Sequence, residues 1–325
     1  MQTMQTTSIV ITNYNGGSLL GNCVESIRRH SRDYKIILVD NHSTDDSLST
    51  VKADQDLLLI RLPRNLGFAR ATNKGIRASV GQHIVLLNSD TVVTPKWLDK
   101  LIETAERSPR IGIVTPKLLR PGSSIIDSTG HLYQYQTATC LDRGQGQMDH
   151  GQFDRLTELV STSFPCVLMK REMIETVGLL DEKMFFYFED VDYCLRARVE
   201  GWRVVFCPQS SVYHARGGST SLGDKLWIDN QSRGYPLRVM LKNYQVKNAI
   251  RFGGNYFLKL LIGLLAGVKN SDWRYAQSNL RAALWNIAYL PLRERMQIQN
   301  KRRVGDRRLY EYLGSRCYAW GKESR

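Results

Sequence analysis

The sequence lacks the features that mark several large classes of protein. Its longest apolar run, from Tyr256 to Val268, has 13 residues and includes Lys259, whereas a membrane-spanning helix needs roughly 20. Residues 1–5 carry neither the basic nor the apolar segment of a secretory signal. The six cysteines show no CxxC spacing, and most have apolar neighbours, as buried thiols do. These absences predict a protein of a reducing compartment.

Acidic residues are scarce in one part of the chain only. Residues 1–224 hold 25 Lys and Arg against 25 Asp and Glu, whereas residues 225–325 hold 20 against 6. The net charge of +14 therefore comes entirely from the C-terminal part. Such asymmetry predicts contact with a polyanion, either nucleic acid or an anionic membrane surface.

The first 115 residues alternate β-branched runs with amphipathic stretches of helical length. The predicted strands are Ser8–Thr12, Lys35–Val39, 56–62, 82–87 and Ile111–Val114. This alternation predicts an α/β fold with a Rossmann-like mixed, mostly parallel sheet flanked by helices. Ligands of such sheets bind at the carboxyl ends of the strands, where Asn13, Asp40 and Asp90 fall.

Two other parts of the chain have different patterns. Residues 120–160 are rich in Gly, Gln, Ser and Asp, and we expect an irregular segment or hairpin over the site. After about residue 225 the pattern is helical, with Lys or Arg flanking apolar faces. We therefore divide the chain into residues 1–224 and a basic amphipathic helical region, residues 225–325. That region lies on an anionic membrane or packs as a helical subdomain or dimer.

Three carboxylates follow an aromatic run, in Phe185-Phe186-Tyr187-Phe188-Glu189-Asp190-Val191-Asp192. A carboxylate at the mouth of an apolar pocket can have a raised pKa and serve as a base. We expect Asp190 to be that base, with Glu189 and Asp192 in support. Asp192 is one helical turn before Arg196, which predicts an ion pair.

Two separated residues predict a metal site. Asp90 ends the apolar run Leu86-Leu87-Asn88-Ser89-Asp90, and His214 stands in a Gly-ended loop after a strand. A carboxylate suits Mg²⁺ or Mn²⁺, and an added imidazole favours Mn²⁺. The alternatives are a turn residue at Asp90 and a hydrogen-bonded histidine at His214.

Further polar residues predict a nucleotide site. Asp40 ends a strand and can accept the imide N–H of a uracil or thymine ring, although Ser43, Thr44 and Asp45 beside it are typical helix caps. Asn65 precedes a predicted helix that begins at Gly67. Asn73 lies within that helix, eight residues after Asn65. A helix N-terminus near Gly67 favours a diphosphate.

Taken in order, these motifs resemble family 2 glycosyltransferases, most closely the bacterial rhamnosyltransferase-like branch. The resemblance covers residues 8–220 and implies a GT-A fold, a nucleotide-diphosphate sugar donor, a divalent metal (Mn²⁺ or Mg²⁺) and inversion at the anomeric carbon. Carried over by position, the catalytic base is Asp190, the metal ligands are Asp90 and His214, and the acceptor or supporting residues are Glu189, Asp192 and Trp202. The donor nucleotide is bound by Thr12, Asn13, Asn15, Asp40, Asn65, Gly67, Asn73 and Ser89.

The sequence departs from the family pattern at two places. Asn88 replaces the first Asp of a DxD motif, and Phe164-Pro165-Cys166 stands where the family often has Ser-Gly-Ala or Gly-Gly-Ala. The first departure predicts weak metal affinity. The second lies on the acceptor side and affects acceptor identity more than the chemistry.

The resemblance predicts transfer of rhamnose from dTDP-rhamnose, or of a sugar from a UDP-sugar, to a lipid-linked surface polysaccharide. The acceptor is then a polyprenyl diphosphate or a glycan, and the enzyme is cytoplasmic and peripheral on the inner face of the cell membrane. Trp273, Trp285, Tyr289 and Trp320 are the predicted interfacial anchors. One alternative is a catalytically silent sugar-nucleotide-binding scaffold. Nucleic-acid binding is disfavoured because no recognised motif accompanies the basic tail.

Overall fold

A computed structural model of the protein describes residues 7–216 and 232–309. The strands are β1 (Thr7–Asn13), β2 (Tyr34–Asp40), β3 (Leu57–Arg61), β4 (His83–Asn88), β5 (Thr91–Val93), β6 (Ile111–Leu119), β7 (Ile126–Ser128), β8 (His131–Gln134), β9 (Thr139–Asp142), β10 (Thr157–Leu159), β11 (Cys166–Lys170) and β12 (Arg203–His214). All five predicted strands of the first 115 residues are present, with boundaries shifted by a few residues.

The helices fall into two groups along the chain. Those of the first group are α1 (Gly17–His30), α2 (Phe68–Ala78), α3 (Trp97–Glu106), α4 (Arg171–Val177) and α5 (Glu189–Val199). Those of the second group are α6 (Tyr235–Asn243), α7 (Gly254–Lys269), α8 (Trp273–Ala288) and α9 (Leu292–Asn300). The C-terminal part is thus helical, as its pattern predicts.

The main sheet has ten strands and is mixed. Along its main path the order is β10-β12-β6-β11-β4-β1-β2-β3, with β5 and β7 paired to β12 and β6. Strands β3, β2, β1 and β4 are parallel, whereas β11 runs antiparallel to both β4 and β6. The predicted mixed, mostly parallel sheet is confirmed. Strands β8 and β9 form a separate hairpin, the predicted feature of residues 120–160.

Helices cover both faces of the sheet because its central strands are apolar on both sides. In β1, Ile9 and Ile11 face one apolar layer and Val10 faces the other. The first layer is completed by α1 and α3, and the second by α2, α4 and α5. Near-continuous apolar strands are expected where a parallel sheet is buried on both faces.

The C-terminal helices share a core with the α/β part. Tyr235, Val239 and Met240 of α6 are buried in the same cluster as Val191 and Leu195 of α5. The predicted boundary after residue 224 lies outside the described residues. Helix α6 therefore packs on α5 of the α/β part, and the division of the chain after residue 224 stays a prediction.

A buried ion network joins α5 to α6. Asp192 accepts from Arg196 at 2.9 Å, which confirms the predicted pair, and also from Lys242 at 2.8 Å and Asn243 at 2.9 Å. Lys242 also contacts Asp181 at 2.7 Å. Burial raises the pKa of Asp192, but the charges of Lys242 and Arg196 outweigh burial, and the net shift is downward. The carboxylate is held ionised inside the protein.

One helix is longer than the apolar run suggested. Residues Val246–Lys269 form a continuous helix of 24 residues, including a π-helical turn at Ala249–Gly253, and by length and composition it could cross a membrane. The core helix of a soluble protein can have the same length and composition. Of the apolar 18-residue stretch in this helix, 28% is buried within the protein. The count of 13 apolar residues underestimated the element because apolar residues resume before Tyr256.

Lys242→Ala should destabilise the fold strongly. It removes the cation that Asp181 and Asp192 share and leaves them with Arg238 and Arg196, so the cost approaches the roughly 3–5 kcal/mol of breaking a buried pair. Lys100→Ala is the matched control, since Lys100 pairs with Glu103 at the surface and such pairs contribute under about 1 kcal/mol. Urea unfolding measures both. Equal losses in the two variants would contradict a stabilising role for the network.

Candidate active site

Polar side chains gather where the parallel strands end. In the sheet register, Asn13 at the end of β1 is opposite Asp40 at the end of β2, and Thr12 is opposite Asn88 at the end of β4. Ser89 and Asp90 follow directly. The sheet thus brings these predicted residues to one edge, as expected of a parallel sheet.

Asn13 organises the loop around Asp40. Its Nδ2 donates to Asp40 Oδ1 at 3.3 Å and to the hydroxyls of Ser43 and Ser47, both at 3.0 Å. Its Oδ1 is buried with no hydrogen-bond partner among the described residues. Asp45, rather than Ser43 or Thr44, caps the following 3₁₀ turn. The Asp40 carboxylate is therefore held in place without an ion pair among the described residues.

The loop from Asn65 to Phe68 is tied to the loop before α5. Gly67 N donates to Asn65 Oδ1 at 2.9 Å, and Phe68 N donates to Phe185 O at 2.7 Å. Leu66 N donates to Asn41 Oδ1 at 2.8 Å. These three amides donate to protein acceptors, and a diphosphate at the helix N-terminus near Gly67 stays a prediction. These hydrogen bonds connect the Gly67 turn to the aromatic loop.

Three predicted donor residues have different surroundings. Asn15 Oδ1 accepts from Thr44 N at 2.8 Å, beside the Asp40 loop. Thr12 Oγ1 lies 3.0 Å from Thr72 Oγ1 on α2. Asn73 makes its hydrogen bonds to Leu180 instead. Its Nδ2 donates to Leu180 O and its Oδ1 accepts from Leu180 N, both at 3.0 Å. Asn73 is buried in this contact, so the structure assigns it to holding a loop and not to the donor.

Trp202 also lies away from the predicted acceptor site. It precedes β12, whereas His214 ends that strand twelve residues later, so the two lie at opposite ends of the strand. Its Nε1 donates to Thr176 Oγ1 at 3.0 Å, and its ring packs in the core beside Gly112. Strand length is what separates Trp202 from the site.

Asp90 and His214 come together at the same edge. Strand β5, which follows Asp90, pairs antiparallel with the end of β12 and places His214 opposite Thr91. His214 Nε2 lies 3.5 Å from Asp90 Oδ1, and Nδ1 lies 2.8 Å from Asp127 Oδ2. Burial alone would lower the pKa of His214, but the hydrogen bonds and charges of Asp127 and Asp90 outweigh burial and raise it to about 9.

The sequence reasoning did not single out Asp127, Asp142, His131 or Arg216. Arg216 binds both Asp127 and Asp142, so it connects His214 to the β8–β9 hairpin. In that hairpin His131 is opposite Asp142. Asp127, His131 and Asp142 lie in residues 120–160, the segment rich in Gly, Gln, Ser and Asp, and Arg216 follows β12. Only the density of polar residues in that segment could have indicated them.

Asp190 lies in the first turn of α5, beside this hairpin. Its side chain is partly exposed and accepts from the amide of Val191 at 2.7 Å. Burial raises the pKa of Asp190, while the nearby His131 partly offsets it. Tyr187 and Phe188 before it have φ values of +71° and +67°, a strained conformation that often occurs at functional sites. The turn places the carboxyl group near His131 and Asp142 of the hairpin.

Glu189 differs from Asp190 in its surroundings. Its side chain is buried, and Oε2 has no hydrogen-bond partner among the described residues. Burial raises the pKa of Glu189 well above its usual range, and the neighbouring Asp190 raises it further. A neutral Glu189 adds no second negative charge beside Asp190, which is a supporting role.

The residues fit a divalent metal held by few protein ligands. Within residues 7–216 and 232–309 no cluster of three or more His, Cys, Asp or Glu could hold an ion. Asp90 Oδ1 and His214 Nε2 nevertheless provide a hard oxygen and an imidazole 3.5 Å apart. Such sites are completed by substrate phosphates and water. Asn88 Oδ1, in place of a carboxylate, is buried without a partner in the described structure.

Solved structures of similar shape define the class. A mannosyltransferase from Pyrobaculum calidifontis, solved with GDP-Man and Mn²⁺, superposes with a TM-score of 0.54 at 15% identity over 89% of both chains. The structure of GalNAc-T7 with UDP, GalNAc and Mn²⁺ superposes with a TM-score of 0.56 at 17% identity, over 79% of this chain and 55% of its own. The fold is therefore that of GT-A glycosyltransferases.

The family model named Glycosyl transferase family 2 matches residues 8–178. The chain belongs to this family. A Mycobacterium tuberculosis protein named N-acetylglucosaminyl-diphospho-decaprenol L-rhamnosyltransferase is 27% identical over 65% of this chain and 76% of its own length. The O-antigen biosynthesis protein RfbC of Myxococcus xanthus is 27% identical over 65% of this chain and 17% of its length. An uncharacterised protein of Sinorhizobium fredii, y4gI, is 28% identical, and the match spans 24% of its length.

Gly67→Ala should destabilise the site loops. Gly67 has φ +82°, and an added Cβ would lie 2.5 Å from Phe185 O. We expect a loss of about 1–3 kcal/mol from strain and contact. The control is Gly122→Ala, with φ +65° and no atom within 4 Å of the added Cβ. Thermal unfolding compares them; an equal loss would mean that contact with the Phe185 loop contributes nothing.

Proposed function

We propose that this protein is a metal-dependent, inverting glycosyltransferase that adds a sugar to a lipid-linked surface polysaccharide. The observation that carries the proposal is the position of His214. Its Nε2 faces Asp90, and its Nδ1 is held by Asp127. Asp40, at the end of β2, and Asp190, in the first turn of α5, are the other two predicted acidic residues of the site.

Asp190 supplies the base. An acceptor hydroxyl is a poor nucleophile at neutral pH, and Asp190 takes its proton as the oxygen attacks the anomeric carbon. The new bond forms on the face opposite the nucleoside diphosphate, and the diphosphate leaves with the electrons of its bond to the sugar. The configuration at that carbon is inverted. The raised pKa of Asp190 strengthens it as a proton acceptor relative to an exposed carboxylate.

The other predicted residues bind and orient the donor. Asp90 and His214 would hold Mn²⁺ or Mg²⁺, which neutralises charge on the leaving diphosphate when bound. Asp40, held by Asn13, accepts the imide N–H of the base. Asn15, Asn65, Gly67, Thr12 and Ser89 shape the loops around it. Asp127 orients His214 through the hydrogen bond to Nδ1, which leaves Nε2 directed at Asp90.

Rhamnose from dTDP-rhamnose is the proposed donor, and a polyprenyl-diphosphate-linked glycan is the proposed acceptor. The resemblance to the rhamnosyltransferase-like branch supports both, together with the relative named for a decaprenol-linked acceptor. A UDP-sugar is the alternative donor, since uracil and thymine present the same imide N–H to Asp40. The silent scaffold is the second candidate function, favoured by the Asn at position 88.

The C-terminal helices support a peripheral position at the inner face of the cell membrane. Trp273 and Tyr289 are exposed, as interfacial anchors require, and Arg274 follows Trp273 directly. Trp285 does not fit that role, because its ring packs against Tyr235 with a centroid distance of 5.2 Å. Trp320 lies outside the described residues. A homo-oligomer formed through the same helices stays a prediction.

Asp190→Asn should abolish transfer and leave donor binding nearly intact, because it removes the base and keeps the shape of the side chain. Release of nucleoside diphosphate from dTDP- and UDP-sugars, with Mn²⁺ and a polyprenyl-linked acceptor extract, measures turnover. Asp99→Asn, at the start of α3, is the control and should keep wild-type turnover. Full activity in Asp190→Asn would contradict the assignment of Asp190 as the base. No turnover of any donor by the folded wild-type protein would favour the sugar-nucleotide-binding scaffold.

Asp127→Asn should weaken Mn²⁺ binding in the presence of nucleoside diphosphate by roughly 10- to 100-fold, the usual effect of losing the partner that orients a ligating histidine. Titration of Mn²⁺ by electron paramagnetic resonance measures this without turnover. Asp56→Asn is the control, since Asp56 pairs with Arg28 on the α1 side of the sheet. Unchanged affinity in Asp127→Asn would remove Asp127 from the metal site.

A further inference from the structure

An open apolar groove lies among the C-terminal helices. It has a volume of about 460 Å³, within the usual range for ligand sites. Leu237 and Leu241 of α6, Ile250 and Phe257, and Ile287 and Leu290 line it. Nearly all of the lining surface is apolar. This groove is separate from the edge of the sheet where the predicted donor residues lie.

The groove is continuous with apolar side chains that face solvent. Ile250 and Ile287, in its lining, are 71% and 63% exposed. Leu258, Ile262 and Leu265 form a stripe along α7, the helix whose Gly254 and Phe257 line the groove, and each is more than half exposed. A contiguous apolar surface of this kind marks an interaction site. A bound hydrocarbon could enter from this face.

The charges around the groove match an anionic amphiphile. Residues 246–300 contain eight Lys and Arg and only two acidic residues, Asp272 and Glu294. Arg295 lines the groove itself. Its Nη1 donates to the carbonyls of Leu241 and Tyr244, at 2.6 and 2.8 Å, while Nη2 is buried with no partner among the described residues. The positive charge of Arg295, a lining side chain of an otherwise apolar groove, suits a ligand with an anionic end.

The position of the groove indicates which amphiphile it binds. Helix α6 lines the groove with Leu237 and Leu241, and its Lys242 and Asn243 contact Asp192 in the first turn of α5. One helix, about 10 Å across, therefore separates the groove from the turn that carries Asp190. An acceptor with its hydroxyl at Asp190 and a long chain behind its diphosphate could reach both places.

We propose that this groove binds the isoprenoid chain of the lipid-linked acceptor, with Arg295 at its polar end. The proposal rests on the proposed function, since it needs a lipid-linked acceptor. It deepens that function by assigning the chain to α6–α9 rather than to the bilayer alone. A long-chain acceptor then binds more tightly than the same head group on a short chain.

The test measures binding of decaprenyl phosphate and geranyl phosphate to the full-length protein in detergent micelles, with no donor present. The wild type should prefer decaprenyl phosphate by about tenfold or more, because burial of the longer chain adds apolar contact. Gly254→Phe fills the groove, since nothing lies within 4 Å of an added Cβ there, and should remove the preference. Val80→Phe adds bulk at an exposed position of the α/β part, away from the C-terminal helices, and should keep it.

Two further measurements make the outcome decisive. Ile287→Gln, a second groove variant, should also remove the preference, and circular dichroism checks that both groove variants fold. Equal binding of the two phosphates by the wild type, or a preference kept in folded Gly254→Phe and Ile287→Gln, would overturn the proposal. Competition by phosphatidylglycerol as effective as by decaprenyl phosphate would also overturn it, in favour of a general lipid surface.

Failure of the groove and failure of the proposed function give different results. If chain-length preference is present but no sugar-nucleotide donor is consumed, the groove stands and the transferase does not. If transfer proceeds equally well to acceptors on short and long chains, the transferase stands and the groove does not.

Discussion

The buried carboxylate of Asp192 is the interaction on which the placement of α5 against the C-terminal helices depends. It lies in the interior with Arg196, Lys242 and Asn243 around it, so it fixes the first turn of α5 against α6. A buried charge tolerates little displacement, because any gap leaves it without compensation. Asp190 lies two residues earlier in the same helical turn, so its backbone is held in place by the same contacts. The C-terminal helices therefore position the proposed base, and the first 216 residues alone do not contain the complete support of the site.

Most of the fold could be predicted from local pattern. The strands around Val10, Leu38 and Leu86 are near-continuous apolar runs that alternate with amphipathic stretches, and the parallel order follows from this alternation. The antiparallel β11 and the ten-strand width depend on contacts distant in sequence, and no short window shows them. Helix bounds were hardest where apolar residues are interrupted by basic ones, as between Val246 and Tyr256.

The candidate site could be predicted in part. The pattern predicts Asp40, Asp90 and Asp190 as site residues because each lies at or next to the end of a strand or helix with a clear pattern. Asn73 was misplaced because its spacing from Asn65 does not reveal that its amide faces Leu180. Asp127 was missed because only tertiary folding brings the irregular segment against His214. Sequence order identifies residues near strand ends well, and it does not identify the partners that orient them.

The hydrogen bond from Phe68 N to Phe185 O makes two distant loops one mechanical unit. One loop belongs to the predicted nucleotide side and the other leads into the turn that carries Asp190. Exchange of residues 65–68 for those of a relative with a side chain at Gly67 would also displace the loop before Asp190, since a Cβ there would lie 2.5 Å from Phe185 O. Successful grafting would therefore need residues 185–188 from the same relative. The modular unit for engineering or for evolutionary exchange is this loop pair, although 117 residues separate the two bonded positions.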